Sequence, residues 1–262
     1  MPALIAITRE VSPSIATCQL THLKRQPIDV ARVRAQHAEY ERALQRLGCT
    51  VRRLPASADM PDSVFVEDIA VVFDDIAIVT RPGATSRRVE VAGVVEALSR
   101  QRPLATLEPP ATMDGGDVLV VGRSIFVGRT SRTNDAGIDQ LREAVRRFGY
   151  SVTPASVRGC LHLKSAITAL DDQTVLINRR WAAEEEFVGL ELIDVDPLEP
   201  GGANVVRVGA ELLYASAFPR TRERVEQRGY VVTAVDVGEL AKAEGAVTCC
   251  SLIFSDHLRP TA

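Results

Sequence analysis

Asp117-Val118-Leu119-Val120-Val121-Gly122-Arg123-Ser124-Ile125-Phe126-Val127-Gly128, followed after one helical stretch by Gly149-Tyr150-Ser151-Val152, holds a complete copy of the unit from which this chain is built. Two apolar runs flank Gly122-Arg123, as the turn of a β-hairpin requires. Ile138, Leu141, Val145 and Phe148 then share one helical face, with Asn134 placed as N-cap and Gly149 as the stop. A short strand resumes after the glycine. The unit is therefore hairpin, helix, glycine, strand.

The unit recurs. Further hairpins are expected at Ile69–Thr80, turning at Asp74-Asp75, at Ala166–Asn178, turning near Asp171-Asp172, and at Val205–Ala215, turning at Gly209-Ala210. Helices are expected from Val30, Val33, Tyr40, Leu44 and Leu47, capped by Asp29 and stopped by Gly48, and from Val91, Val94, Val95 and Leu98. Pro219 to Arg228 gives a weaker one, and 181–190 a weaker one still. Gly48-Cys49-Thr50-Val51 and Gly229-Tyr230-Val231-Val232 repeat the ending at Gly149, the mark of a repeat architecture. The strands Leu4–Thr8 and Thr248–Phe254 each lack a hairpin partner. Pairing them completes a fifth unit and closes a ring without open sheet edges. A doubly wound sheet is the alternative, weakened by the hairpins and by the lack of a GxGxxG after a strand.

Length and composition agree with one α/β domain over residues 1–262. Of the 262 residues, 46% are apolar and 25% charged, enough for a sizeable core. A net charge of -3 with interspersed signs gives no basic stripe for nucleic acid. No apolar run is long enough for a bilayer, and the start of the chain reads as a strand, not a signal peptide. A cytoplasmic protein is expected. The five cysteines (Cys18, Cys49, Cys160, Cys249, Cys250) form no CxxC pair, so neither a zinc ribbon nor a redox dithiol is indicated. Free thiols in a reducing compartment fit best.

Chemically loaded residues fall at matching places in the units. Asp68, Asp114 and His162 each lie just ahead of a hairpin, and Cys249 sits in the expected last strand. Asp62-Ser63-Val64-Phe65-Val66-Glu67-Asp68 ends in two carboxylates entering an apolar strand. Buried, they need donors or cations. Met113-Asp114-Gly115-Gly116-Asp117 combines acids with glycines that permit close approach. His162 stands in an apolar setting, whereas His22, His37 and His257 have no comparable place. If the ring closes, acids, a base and a thiol meet at its centre, and His162 is the base that would activate a thiol. Local sequence barely separates Cys249 from Cys250. Ser86-Arg87 and Ser131-Arg132 follow two hairpins and, converging, would clamp a carboxylate.

With these residues assembled, the chain resembles the dimethylarginine dimethylaminohydrolase family, of the guanidino-group-modifying (pentein) superfamily. The resemblance rests on Phe65-Val66-Glu67-Asp68, Thr80-Arg81-Pro82-Gly83-Ala84, Ser86-Arg87-Arg88, Asp114-Gly115-Gly116-Asp117-Val118, Arg132-Thr133-Asn134, Leu161-His162-Leu163-Lys164 and Thr248-Cys249-Cys250-Ser251. It implies a five-bladed α/β propeller with pseudo-fivefold symmetry and a central active site. It implies hydrolysis of methylated arginines to citrulline and methylamines through a covalent cysteine intermediate, with no cofactor and no metal. By motif match, Cys249 is the nucleophile, His162 the general acid/base and Asp114 its neighbour. Asp68, with Glu67 nearby, would hold the guanidinium, and Arg87 and Arg132 the α-carboxylate. Asp62 and the Ala243 carbonyl would take the α-amino group, and residues around Cys18 to Arg25 would form a mobile lid. A small-molecule substrate is implied, without nucleic acid or membrane partners, and a homodimer is compatible. Glu244 and Ala243 depart from the family's usual aspartate and larger aliphatic residue. Arginine deiminase activity and a catalytically silent methylarginine-binding protein are the competing functions. A zinc-dependent hydrolase is weaker, because a metal between Cys249 and His162 would occupy the nucleophile.

Overall fold

The computed structural model describes residues 3–256. Its strands form five three-stranded sheets, the blades of a five-bladed α/β propeller. The first blade contains β3 (Ala70–Val72), β4 (Ala77–Val79) and β5 (Leu104–Thr106), and the second β6 (Val118–Val121), β7 (Ser124–Arg129) and β8 (Ser151–Ser156). The third contains β9 (Ile167–Ala169), β10 (Thr174–Ile177) and β11 (Glu191–Asp194), and the fourth β12 (Val205–Val208), β13 (Glu211–Ala215) and β14 (Val231–Val235). The fifth is made from both ends of the chain: β15 (Leu252–Ser255), β1 (Leu4–Arg9) and β2 (Cys49–Leu54). In each blade the middle strand runs antiparallel to the first and parallel to the third. The expected closure is present, with Leu4 opposite Ser255 and Ile7 opposite Leu252.

A helix makes the parallel crossover in four blades: α1 (Val30–Arg46), α2 (Val91–Ser99), α3 (Asp135–Arg146) and α5 (Pro219–Glu226), with the single turns α4 (Leu163–Ala166) and α6 (Gly238–Ala241) elsewhere. The Asp29 and Asn134 side chains cap α1 and α3 by accepting from Arg32 and Gly137 N–H. Gly48, Gly149 and Gly229 follow their helices at φ of 92°, 78° and 90°, which a glycine adopts without steric cost. The third blade has no such helix, only a 3-10 turn at Glu184–Glu186, so the weak helical pattern at 181–190 does not persist. This crossover is correspondingly shorter.

Strand alternation explains the core. Val118 and Val120 face the first blade, while Leu119 and Val121 face the third. Val175 and Ile177 face the second blade, and Leu176 the fourth. Strands buried on both faces read as continuous apolar runs, as these do. Each pair of adjacent blades thus shares a buried apolar cluster. Through the cluster between the fourth and fifth blades, α1 reaches the 3-10 turn Thr248–Cys250 and its neighbours. The fully buried Tyr40 hydroxyl bonds the Val247 carbonyl at 2.9 Å and Ser251 Oγ at 2.6 Å.

Tyr40→Phe keeps the ring and leaves those two buried groups without their partner. It should lower stability by about 1–3 kcal/mol in urea unfolding, and an unchanged midpoint would show that the hydroxyl holds nothing there.

Candidate active site

A short helical turn precedes the first strand of every blade: Val66–Ile69, Gly115–Asp117, Leu163–Ala166, Pro200–Ala203 and Thr248–Cys250. The five turns line the centre of the ring. Cys249 therefore lies in a single 3-10 turn, three residues ahead of β15, and not within the strand expected from the sequence. The turn also separates the two thiols. Cys250 is fully buried in the apolar cluster around α1, while Cys249 is partly exposed and its Sγ accepts from Ala246 N–H at 3.4 Å.

Asp68, Asp114 and His162 are brought together, each buried, with ligand atoms within 4.8 Å of one another. His162 Nε2 lies 3.1 Å from Asp114 Oδ2, and Nδ1 lies 3.9 Å from Asp68 Oδ1. Asp68 also accepts from Gly116 N–H (3.1 Å) and from Arg87 Nη1 (2.5 Å). Asp114 Oδ1 accepts from Gly83 N–H at 2.9 Å. The glycines are needed for space. A Cβ on Gly116 would sit 2.7 Å from His162 Nδ1 and 2.8 Å from Asp68 Oδ1, and one on Gly83 2.5 Å from the Arg132 backbone.

Glu67 turns away from this trio. It accepts from Lys164 Nζ (2.5 Å) and Thr248 Oγ1 (2.8 Å), beside a cavity of about 250 Å³ lined by the first strands of the blades. The expectation that both carboxylates would need partners is met, but by different cations. Arg87 is also committed. Its Nε and Nη2 bond Glu90, Nη1 bonds Asp68, and Nη2 reaches the Phe65 and Asp62 carbonyls. Among the described residues these bonds leave one Nη1 hydrogen for an outside acceptor. Arg132 is less enclosed: Nη2 donates to Thr21 Oγ1 at 3.0 Å, and Nη1 stands 3.5 Å from Asp114.

Charge sets the protonation states. Burial alone would lower the His162 pKa, but Asp68, the bond to Asp114 and the Asp117 charge overcome it and hold it up at about 9. Burial pushes the Cys249 thiol up to about 12, with the Glu67 and Asp68 charges adding to it. Burial would also raise Asp68, yet His162 and Arg87 hold it below the usual carboxylate range. At neutral pH the centre thus holds an imidazolium and a protonated thiol. The acid–imidazole cluster offers metal-type donors, but its negative charge is already met by His162 and Arg87.

A family model described as N,N dimethylarginine dimethylhydrolase, eukaryotic, matches residues 2–181. An N(G),N(G)-dimethylarginine dimethylaminohydrolase of Streptomyces coelicolor is 42% identical, over 96% of this chain and 97% of its own. The chain belongs to this family. The Pseudomonas aeruginosa relative of the same name is 35% identical over 86% of this chain and 90% of its own. A Pseudomonas aeruginosa structure of a cysteine-to-serine variant complexed with citrulline superposes with a TM-score of 0.90, at 33% identity, covering 95% and 98% of the two chains. A second structure, of a histidine-to-glycine variant as an adduct with S-methyl-L-thiocitrulline, also gives 0.90, at 32% identity, covering 97% of this chain and 100% of that one.

The segment around Cys18 to Arg25 is hydrogen-bonded to Asp62, Arg132 and Glu244. Thr21, His22 and Leu23 present successive N–H groups to the Glu244 carboxylate at 2.9, 2.5 and 2.5 Å. Gln19 N–H donates to both oxygens of Asp62, whose pKa burial raises. Glu244 is the one non-glycine residue with positive φ (60°) among the described residues. Ala243, beside it, is buried. An apolar cavity of about 410 Å³ runs from His22 past Glu244, Ala246 and Leu161 to Trp181 and Phe218. His37 lies in α1 near Glu41, and His257 lies outside the described residues. Sequence reasoning missed the supporting partners Glu90 and Asn204. Asp117, Thr133 and Lys164 stood inside quoted motifs, yet their roles appear only in three dimensions. The buried Asp117, pushed up to about 6 mainly by burial, accepts from Thr130, Thr133 and Leu163 N–H, which anchors the turn behind His162.

Because the folded pKa of His162 exceeds its ordinary 6.5, its proton contributes stability that is complete below pH 6.5 and lost as pH rises through about 9. The unfolding free energy of the wild type minus that of His162→Gln should fall across that window and flatten above it. A difference independent of pH would refute the raised value.

Proposed function

We propose that the protein hydrolyses Nω-methylated arginines, asymmetric dimethylarginine and monomethylarginine, to citrulline and methylamines. The observation that carries this is the buried Asp68–His162–Asp114 cluster at the centre of the ring, with the turn of Cys249 packed against the turn of Asp68 so that the Asp68 charge acts on the thiol. A guanidinium is a poor electrophile because its charge is delocalised. Asp68 and Asp114 would localise and orient it. Arg132, with the remaining Arg87 hydrogen, would take the α-carboxylate. Asp62 and the Ala243 carbonyl would take the α-amino group once the lid segment exchanges its own N–H bond to Asp62 for the substrate's. Glu67 supports Asp68 from the far side through Lys164 and Thr248.

The bound cation lowers the Cys249 pKa, and the thiol proton leaves to solvent. Thiolate attack gives a neutral tetrahedral adduct. The His162 imidazolium gives its proton to the departing amine, leaving an S-alkylthiouronium cation and neutral imidazole. His162 then removes a proton from water, hydroxide adds to the same carbon, and expulsion of thiolate with loss of a proton yields citrulline. Water is the only co-reactant, so this reading invokes neither metal nor cofactor.

Among the described residues no helix is long and apolar enough to cross a membrane. The reading treats residues 1–262 as one domain of a cytoplasmic enzyme whose partner is its small-molecule substrate, with no part for nucleic acid or membrane. A homodimer is compatible with it.

Citrulline release from asymmetric dimethylarginine, monomethylarginine and arginine should be measured for the wild type and Cys249→Ser. Turnover of the methylated substrates, reduced at least a thousandfold in the variant, is the expected result. Turnover of arginine alone would move the protein to deiminase chemistry, and binding without turnover would make it a binding protein.

A further inference from the structure

Four of the five central turns bring Asp68, Asp114, His162 and Cys249 to the centre. The fourth blade's turn, Pro200–Ala203, delivers Asn204 just ahead of β12. Asn204 is buried and uses both ends of its amide. Its Nδ2 donates to the Lys164 carbonyl and to Thr248 Oγ1, each at 2.9 Å. Its Oδ1 accepts from Thr248 N–H at 3.1 Å. Thr248 precedes the nucleophile by one residue, and Lys164 follows His162 by two. The contacts close into a ring, since Thr248 Oγ1 donates to Glu67 and Lys164 Nζ also reaches Glu67, the neighbour of Asp68.

We infer that Asn204 is a positioning residue for catalysis, joining the turn of Cys249 to the turn of His162 and thereby setting how the thiol and the imidazole face the substrate carbon. No common side chain of similar size repeats its bonds. Aspartate keeps the acceptor but loses both donors and adds a negative charge beside Glu67. Alanine leaves a buried N–H and a buried carbonyl unpaired. Asn204 belongs to neither of the substrate-holding groups assigned above, so its loss acts on the chemical step and not on binding.

The inference rests on the roles proposed for Cys249 and His162. The test compares wild type, Asn204→Ala and Asn204→Asp in two assays. Steady-state hydrolysis of asymmetric dimethylarginine should show kcat lowered about tenfold to a hundredfold, the usual consequence of misplacing a reacting group by an ångström, with KM changed less than threefold. Alkylation of Cys249 by iodoacetamide without substrate, followed by mass spectrometry across pH, should show a displaced rate profile in both variants. Thermal unfolding fixes the folded fraction. Thr248→Ala supplies a second route if Asn204→Ala does not fold: its effect on kcat should be strongly non-additive with that of Asn204→Asp. An unchanged kcat per folded enzyme, a rise in KM alone, or additive effects would overturn the inference. Absent wild-type turnover would count against the hydrolase reading instead, while the alkylation profile would still decide whether Asn204 positions Cys249.

Discussion

A carboxylate buried at the hub of a propeller cannot stay ionised without compensation, and Asp68 is that carboxylate. Arg87 and His162 supply the charge, and Gly116 N–H a further bond. Each solution creates the next demand. Arg87 is itself buried, so Glu90 and two backbone carbonyls surround it. His162, held as a cation, needs Asp114, and Asp114 needs Gly83 N–H and Arg132. The site is a chain of compensating charges, and within it Asp68, Asp114 and Asp117 keep His162 protonated well above its ordinary pKa.

The blade architecture makes such a cluster affordable. Apolar strand faces form the interfaces between blades, so the polar residues concentrate where the strands begin. Five short turns arrive there from five points of the sequence, and each contributes one or two side chains without a loop of its own. The repeat is preserved at the level of the turn rather than the residue. Asp68 and Cys249 sit inside their turns, whereas Asp114 and His162 stand at the start of theirs. Small offsets of this kind let similar short turns aim different side chains at one point.

Much of this was legible in the sequence because it is local. Hairpin turns, the caps Asp29 and Asn134, and the glycine stops each depend on a few neighbouring residues. Ring closure followed from two strands without partners. The reactive residues were legible through their recurrence at the blade entrances. What escaped is set by contacts over long separations. Nothing near Glu67 announces Lys164 or Thr248, and nothing near Glu244 announces three amides of the segment it anchors. Arg87 and Arg132 look equivalent in sequence because both follow Ser at matching places. They differ in the structure because Glu90 lies one helical turn beyond Arg87. The strand expected at Cys249 failed for the same reason: Thr248 N–H finds its acceptor in Asn204, distant in sequence, and not in a sheet.

The resting charge state gives the proposed chemistry its selectivity. With its pKa at about 12, the Cys249 thiol is a poor nucleophile toward a passing neutral electrophile. Burial and the Glu67 and Asp68 charges all act in the same direction, so a neutral ligand that merely fills the site does little to activate it. A guanidinium seated against Asp68 and Asp114, as proposed, would act in the opposite direction and lower the thiol's pKa. In the proposed reading the carboxylates hold the thiol protonated until the cation they seat offsets them, so recognition and activation of the substrate would be one electrostatic event.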